Sequence, residues 1–186
     1  MGAPHRSPAM TDPDARFRTA LAHVLRWEGG FIDHPADPGG ATNHGVTLAT
    51  LGDWRGRPQT RDDVRALTPD EAAAIYRARY WDRCRCAELP EGLDLLVFNG
   101  AVNHGPGQSV RMLQQALGVA ADGLIGPVTF AAANSADASE AITETAARRM
   151  VFYGGLSTFR TFGLGWSRRL MDTVRAGLGL PASLAA

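Results

Sequence analysis

The sequence predicts a mostly α-helical protein folded as one domain. Apolar residues recur at helical spacing through several stretches, and Ser/Thr and Pro capping signals open helices where those stretches begin. Residues 91–104 form a nearly continuous apolar run, which reads as a central helix buried on all sides. A length of 186 residues fits one domain with a sizeable core. The expected organisation is a disordered leader over 1–13, a single domain over 14–176 and a frayed tail over 177–186. A catalytic lobe is expected to run to about residue 104, with a helical lobe after it.

The first helix spans Asp14 to Glu28, with Phe17, Leu21, Val24 and Leu25 on one face and Gly29-Gly30 as its stop. Continuing that stripe from Leu25 lands on Glu28. Facing apolar surroundings at the negative end of a helix dipole, a carboxyl is expected to hold its proton more tightly, as a general acid must. A glutamate in a final turn can equally swing into solvent. Nine residues on, Asp37 lies in a Pro/Gly loop whose free N–H groups would keep a carboxylate ionised. Asp-Pro-Gly-Gly is also ordinary turn chemistry. A protonated acid beside an ionised partner is the arrangement of a glycosidase.

After this loop, a small hairpin within residues 31–50 is the one expected departure from helix. Thr60 and Asp63 form a capping box, and Thr68-Pro69-Asp70-Glu71 opens a helix reaching about Arg83, with Ala72, Ile75, Tyr76 and Tyr80 on one face. Tyr80 and Trp81 suit either sugar stacking or core filling. Within the apolar run, Asn99 and Asn103 are four apart and share a face, so they bind backbone groups or line a cleft. Helices are further expected over Gln108–Leu117, from Pro127, over Ala138–Tyr153 and over Ser167–Ala176. Phe159 to Trp166 reads as a Gly/aromatic connector, and Arg148 and Arg149 as solvated.

Glu28-Gly29-Gly30-Phe31 followed by Asp37-Pro38-Gly39-Gly40-Ala41-Thr42-Asn43-His44-Gly45-Val46-Thr47 resembles the signature of the glycoside hydrolase family 108 lysozymes, N-acetylmuramidases of phages, prophages and toxin-secretion loci. Glu71 to Trp81, the Phe98 to Gly105 run, Asp122 to Thr129 and Phe159 to Trp166 are similar to the family as well. The resemblance implies a lysozyme-like helical fold. It implies Glu28 as catalytic acid and Asp37 as second carboxylate, with Thr42 or Asn43 helping to orient water. Phe31, His44, Thr47, Tyr80, Asn99 and Asn103 become candidate substrate-binding residues. Family members usually carry Asp where this chain has Asn99. Asp122 to Thr129 also resembles an element of helical peptidoglycan-binding modules. Two rivals stay open, a lytic transglycosylase and a non-catalytic wall-binding or secretion-accessory protein.

Nineteen basic and nineteen acidic residues balance, and every cation is arginine, so no global field argues for nucleic acid as a partner. Cys84 and Cys86 are too close for an unstrained bridge and fit reduced thiols. His34, His44 and His104 match no compact ligand spacing, so neither metal nor cofactor is expected. No stretch has the length of a membrane span. Residues 1–13 do not read as a signal peptide. The expectation is a monomer made in the cytoplasm, acting on peptidoglycan glycan strands after a holin or export machinery gives access to the wall.

Overall fold

The computed structural model describes residues 13–33 and 40–181. Among these residues there are nine α-helices and one small sheet: α1 Pro13–Glu28, β1 Thr42–Asn43, β2 Val46–Thr47, α2 Leu48–Arg55, α3 Arg61–Arg65, α4 Pro69–Tyr76, α5 Leu93–His104, α6 Pro106–Ala116, α7 Pro127–Ser135, α8 Ala138–Gly154 and α9 Phe159–Gly177. The expected hairpin is present, with Thr42 opposite Thr47 and Asn43 opposite Val46. The caps fall where the sequence places them. Thr60 and Asp63 satisfy each other's backbone N–H groups at the start of α3, and Thr68 accepts from Glu71 N ahead of Pro69.

Helix α5 is the axis of the molecule, and α1, α6, α8 and α9 all pack against it. Its apolar residues leave no solvent-facing stripe, so Leu93 through Ala101 are buried without a break. Phe98 is ringed edge-to-face by Phe17, Tyr76 and Trp81, with centroids 5.4–6.3 Å away. On another side Gly100 admits α6, since a Cβ there would sit 2.4 Å from Ser109 Oγ. Two ion pairs tie elements distant in sequence. Arg16 holds Asp94, and Arg55 makes a paired contact with Glu71 at 2.6 and 2.8 Å.

Three expectations are corrected. The helix opened by Pro69 passes at Arg77–Trp81 into a wider π-helical turn. That turn sends Trp81 into the core, fully buried, while Tyr80 stays half-buried beside Tyr76. The Gly/aromatic connector is helix, because α9 begins at Phe159. Gly163 makes this workable: a Cβ there would lie 2.7 Å from the Phe159 ring, which folds back over the helix surface. Finally, Arg149 is not solvated. It is 1% exposed and lies between α5 and α8, whereas Arg148 does face solvent.

Both cysteines are buried free thiols, and burial pushes Cys86 well above the ordinary thiol range. Among the described residues no helix is long and apolar enough to cross a membrane.

Candidate active site

Glu28 is the last residue of α1, and its side chain is 20% exposed. It does not swing free. The hairpin turn His44-Gly45 lies against it so closely that a Cβ on Gly45 would meet Glu28 Cβ and Cγ at 3.0 Å and Tyr76 Oη at 2.3 Å. Gly45 also has φ 72°, a left-handed conformation that favours glycine. The Tyr76 hydroxyl donates to the His44 carbonyl at 3.1 Å and so fastens the turn to α4. Burial, reinforced by the negative charge of Glu28, holds the Tyr76 and Tyr80 phenols above the usual tyrosine range. Both are therefore neutral hydroxyls beside the carboxyl.

The opposite wall comes from the far end of the chain. Arg169 of α9, itself buried, places Nη2 2.7 Å from Glu28 Oε1. The groups are close but poorly aligned, and neither Nε nor Nη2 of Arg169 completes a hydrogen bond. Glu28 is thus an acid with a cationic partner, not the lone carboxyl in apolar surroundings that the helix stripe implies. Behind this pair lies a set of buried polar groups on α5, α8 and α9. Arg149 donates from Nε to Tyr153 Oη at 2.8 Å, while its Nη1 and Nη2 have no partner among the described residues. Asn99 Nδ2 and His104 Nε2 are likewise buried and unpaired. Burial and the nearby charges of Arg149 and Arg169 hold the His104 imidazole down to about 4.

The other candidate residues separate into groups. Asp37 and His34 lie outside the described residues. Thr42 is half-buried in β1, and its hydroxyl has no hydrogen-bond partner among the described residues. Asn43 is buried and commits its amide nitrogen to the Val64 and Arg65 carbonyls at 3.1 and 3.2 Å, so it anchors the hairpin to α3. Thr47 is the N-cap of α2, accepting from Thr50 N at 3.1 Å. His44 stands in the turn with φ 51°. Phe31 packs on the core under the Arg65 guanidinium, 4.7 Å from its ring centre.

Asn99 and Asn103 do share a face, but only Asn99 is buried. Asn103 is exposed and donates back to the Asn99 carbonyl at 2.7 Å. Tyr80 is the candidate sugar contact that remains beside Glu28. Sequence reasoning passed over Arg169 and read Arg149 as solvated, although both continue buried stripes: Ile142, Ala146, Arg149 and Tyr153 on α8, and Trp166, Arg169, Leu170 and Thr173 on α9. Among the described residues no cluster of three or more His, Cys, Asp or Glu side chains could hold a metal ion.

A carboxyl at a helix end, with an arginine beside it and closed in by a glycine turn and two phenols, is an arrangement that can serve acid–base chemistry. Comparison with known proteins gives that chemistry its class. Residues 21–105 match the glycosyl hydrolase 108 family, and residues 108–171 match a family described as a predicted peptidoglycan domain. The structure is also similar to that of SagA from Brucella abortus, at 42% sequence identity and a TM-score of 0.82, covering 90% of this chain and 96% of that one. No curated protein matches the chain. The chain belongs to the glycosyl hydrolase 108 family and is a peptidoglycan hydrolase with a lysozyme-like helical fold.

Proposed function

We propose that this hydrolase is an N-acetylmuramidase, which cleaves the glycosidic bond between N-acetylmuramic acid and N-acetylglucosamine. The observation that carries the reading is the setting of Glu28: fixed by Arg169 at 2.7 Å, backed by Gly45, and flanked by two neutral phenols. In this reading Glu28 protonates the leaving glycosidic oxygen. Asp37, which falls in the sequence between Phe31 and the hairpin, supplies the second carboxylate. The hydroxyl of Thr42, without a partner among the described residues, takes the helper role in orienting water, because the Asn43 amide nitrogen is already engaged with α3. Tyr80 offers a half-buried aromatic face to a sugar. Arg169 serves as a positioning residue, acting on substrate through Glu28. Catalytic hydrogen bonds in an unliganded site are often misaligned, and the Arg169–Glu28 contact fits that pattern.

The biological setting that suits such an activity is phage-type lysis or local wall opening, with a holin or export machinery giving access to the wall. The test is a zymogram and a product analysis on purified sacculi. Wild type should release muropeptides ending in reducing N-acetylmuramic acid, and Glu28→Gln should fold normally yet lose at least about a thousandfold in rate. Predominantly 1,6-anhydromuramyl ends would instead assign the enzyme to the transglycosylases.

A further inference from the structure

A groove of about 680 Å³ lies between the end of α1 and the outer face of α9. Its walls include Arg26, Trp27, Arg168, Met171, Asp172 and Arg175. It is built on the same two helices as the candidate site. Trp27 immediately precedes Glu28, and Arg168 immediately precedes the Arg169 that holds Glu28.

The charges in this groove do not balance. Its one carboxylate, Asp172, is already engaged, accepting from Trp27 Nε1 at 3.1 Å and from Arg26 Nη2 at 3.3 Å. Arg168 and Arg175 are left without an acidic partner among the described residues. Arg175 spends Nη2 on the Pro181 carbonyl at 2.8 Å, and its buried Nε has no partner among the described residues. Beside these cations, Trp27 is 39% exposed and Met171 47% exposed, which gives the groove an apolar floor next to two guanidinium groups. In a chain whose total charge is zero, this is a local excess of cation.

We propose that the groove binds the peptide stem that peptidoglycan carries on its muramic acid. The proposal rests on the muramidase reading and adds a subsite to it. Stem peptides alternate alanyl methyl groups with free carboxylates. Guanidinium forks match carboxylates, and an exposed indole and thioether match methyl groups. Arg168 and Arg175 take the carboxylates, and Trp27 and Met171 take the alanyl carbons. A neutral sugar would use the indole but would leave both guanidinium groups idle.

The test compares two soluble glycan preparations, one with its stem carboxyl groups free and one with the same groups converted to amides. Calorimetric binding to Glu28→Gln protein reads the groove without turnover, and KM of the Glu28-intact enzyme reads it during turnover. The acidic strands should bind about fivefold more tightly than the amidated ones, the scale of two partly exposed guanidinium–carboxylate pairs. Arg168→Gln/Arg175→Gln should bring that ratio to about one. Arg168→Gln alone, at an exposed side chain, guards against a folding defect and should lower the ratio part of the way. An unchanged ratio in a folded variant, or equal weakening on both preparations, overturns the proposal. Enzyme inert on both preparations would sink the muramidase reading, while the binding arm still decides the groove.

Discussion

The two walls that enclose Glu28 are built on opposite principles. On the hairpin side almost every polar group has a partner: Asn43 is tied to α3, Thr47 to α2, and the His44 carbonyl to Tyr76. On the α5–α8–α9 side the polar groups are buried but underused, with nitrogens of Asn99, Arg149, Arg169 and His104 unpaired among the described residues. A satisfied wall is rigid and defines where the carboxyl sits. An unsatisfied wall holds its donors buried in a low-dielectric environment, where each unpaired group costs stability and is sensitive to any charge introduced near it. The comparison makes the hairpin the frame and the helical half the electrostatic partner. It also explains why the 108–171 segment is more than an appendage, since it supplies Arg169 to the site.

The largest effect should come from the rigid wall. Gly45→Ala combines a left-handed backbone with a Cβ 2.3 Å from Tyr76 Oη, and is expected to cost about 3 kcal/mol. Gly56→Ala has a similar φ of 68° but open space around it, and should cost only about 1 kcal/mol. Equal losses in chemical denaturation would show that the close approach to Glu28 and Tyr76 is not what constrains Gly45.

Next comes the pair that joins the walls. Arg169→Met preserves length and removes the partner of Glu28, so kcat should fall about a hundredfold. KM should move far less, because Arg169 acts through Glu28. A loss confined to KM would recast Arg169 as a substrate-binding residue. Smaller again is Asn43→Ala, which frees two backbone carbonyls of α3 and should cost about 2 kcal/mol of stability. If Asn43→Ala keeps its melting temperature while losing activity, the amide works on substrate water instead.

The same contrast marks what could be read in the sequence. The frame was legible because it is local: Glu28 closes a helix on an apolar stripe, Gly45 sits in a turn, and Thr60 and Thr68 announce caps within four residues. The partner wall was not, because it depends on packing between residues far apart in the chain. Arg148 and Arg149 look alike in sequence, yet one is solvated and the other is 1% exposed, decided by which of them continues the Ile142–Ala146–Tyr153 stripe. Arg149 and Arg169 each continue a buried stripe, but arginine is usually exposed, so a stripe alone does not mark either as buried. The π-helical turn at Arg77–Trp81 and the helical start of α9 at Phe159 were hidden for a similar reason. Trp81 burial sets the first, and the Phe159 ring packed on Gly163 sets the second.

The smallest effect tests the unsatisfied wall through pH. His104 ends α5 with Nε2 unpaired, between the rings of Phe152 and Tyr153 at 5.0 and 5.3 Å. Burial first, then Arg149 and Arg169, hold its imidazole down to about 4, against 6.5 for an unperturbed histidine. Between those values the unfolded chain binds a proton that the folded protein refuses. The neutral ring's contribution is therefore complete above pH 6.5 and is lost progressively as pH falls to about 4. Because the ring is only partly buried, the solvent-screened size of that loss is roughly 1–2 kcal/mol. Denaturant titrations from pH 7.5 to pH 4 should show wild type losing that much more than His104→Phe, whose ring suits the same aromatic neighbours and takes up no proton. Subtracting the two curves cancels other groups that titrate in the same range, among them Asp94, whose burial raises it. Arg149→Met should move the His104 titration upward, toward 6.5, when the imidazole is followed by NMR. Parallel stability curves, with a His104 titration indifferent to Arg149, would mean that this wall is wetter than its geometry indicates, and that its unpaired donors are already bound to solvent.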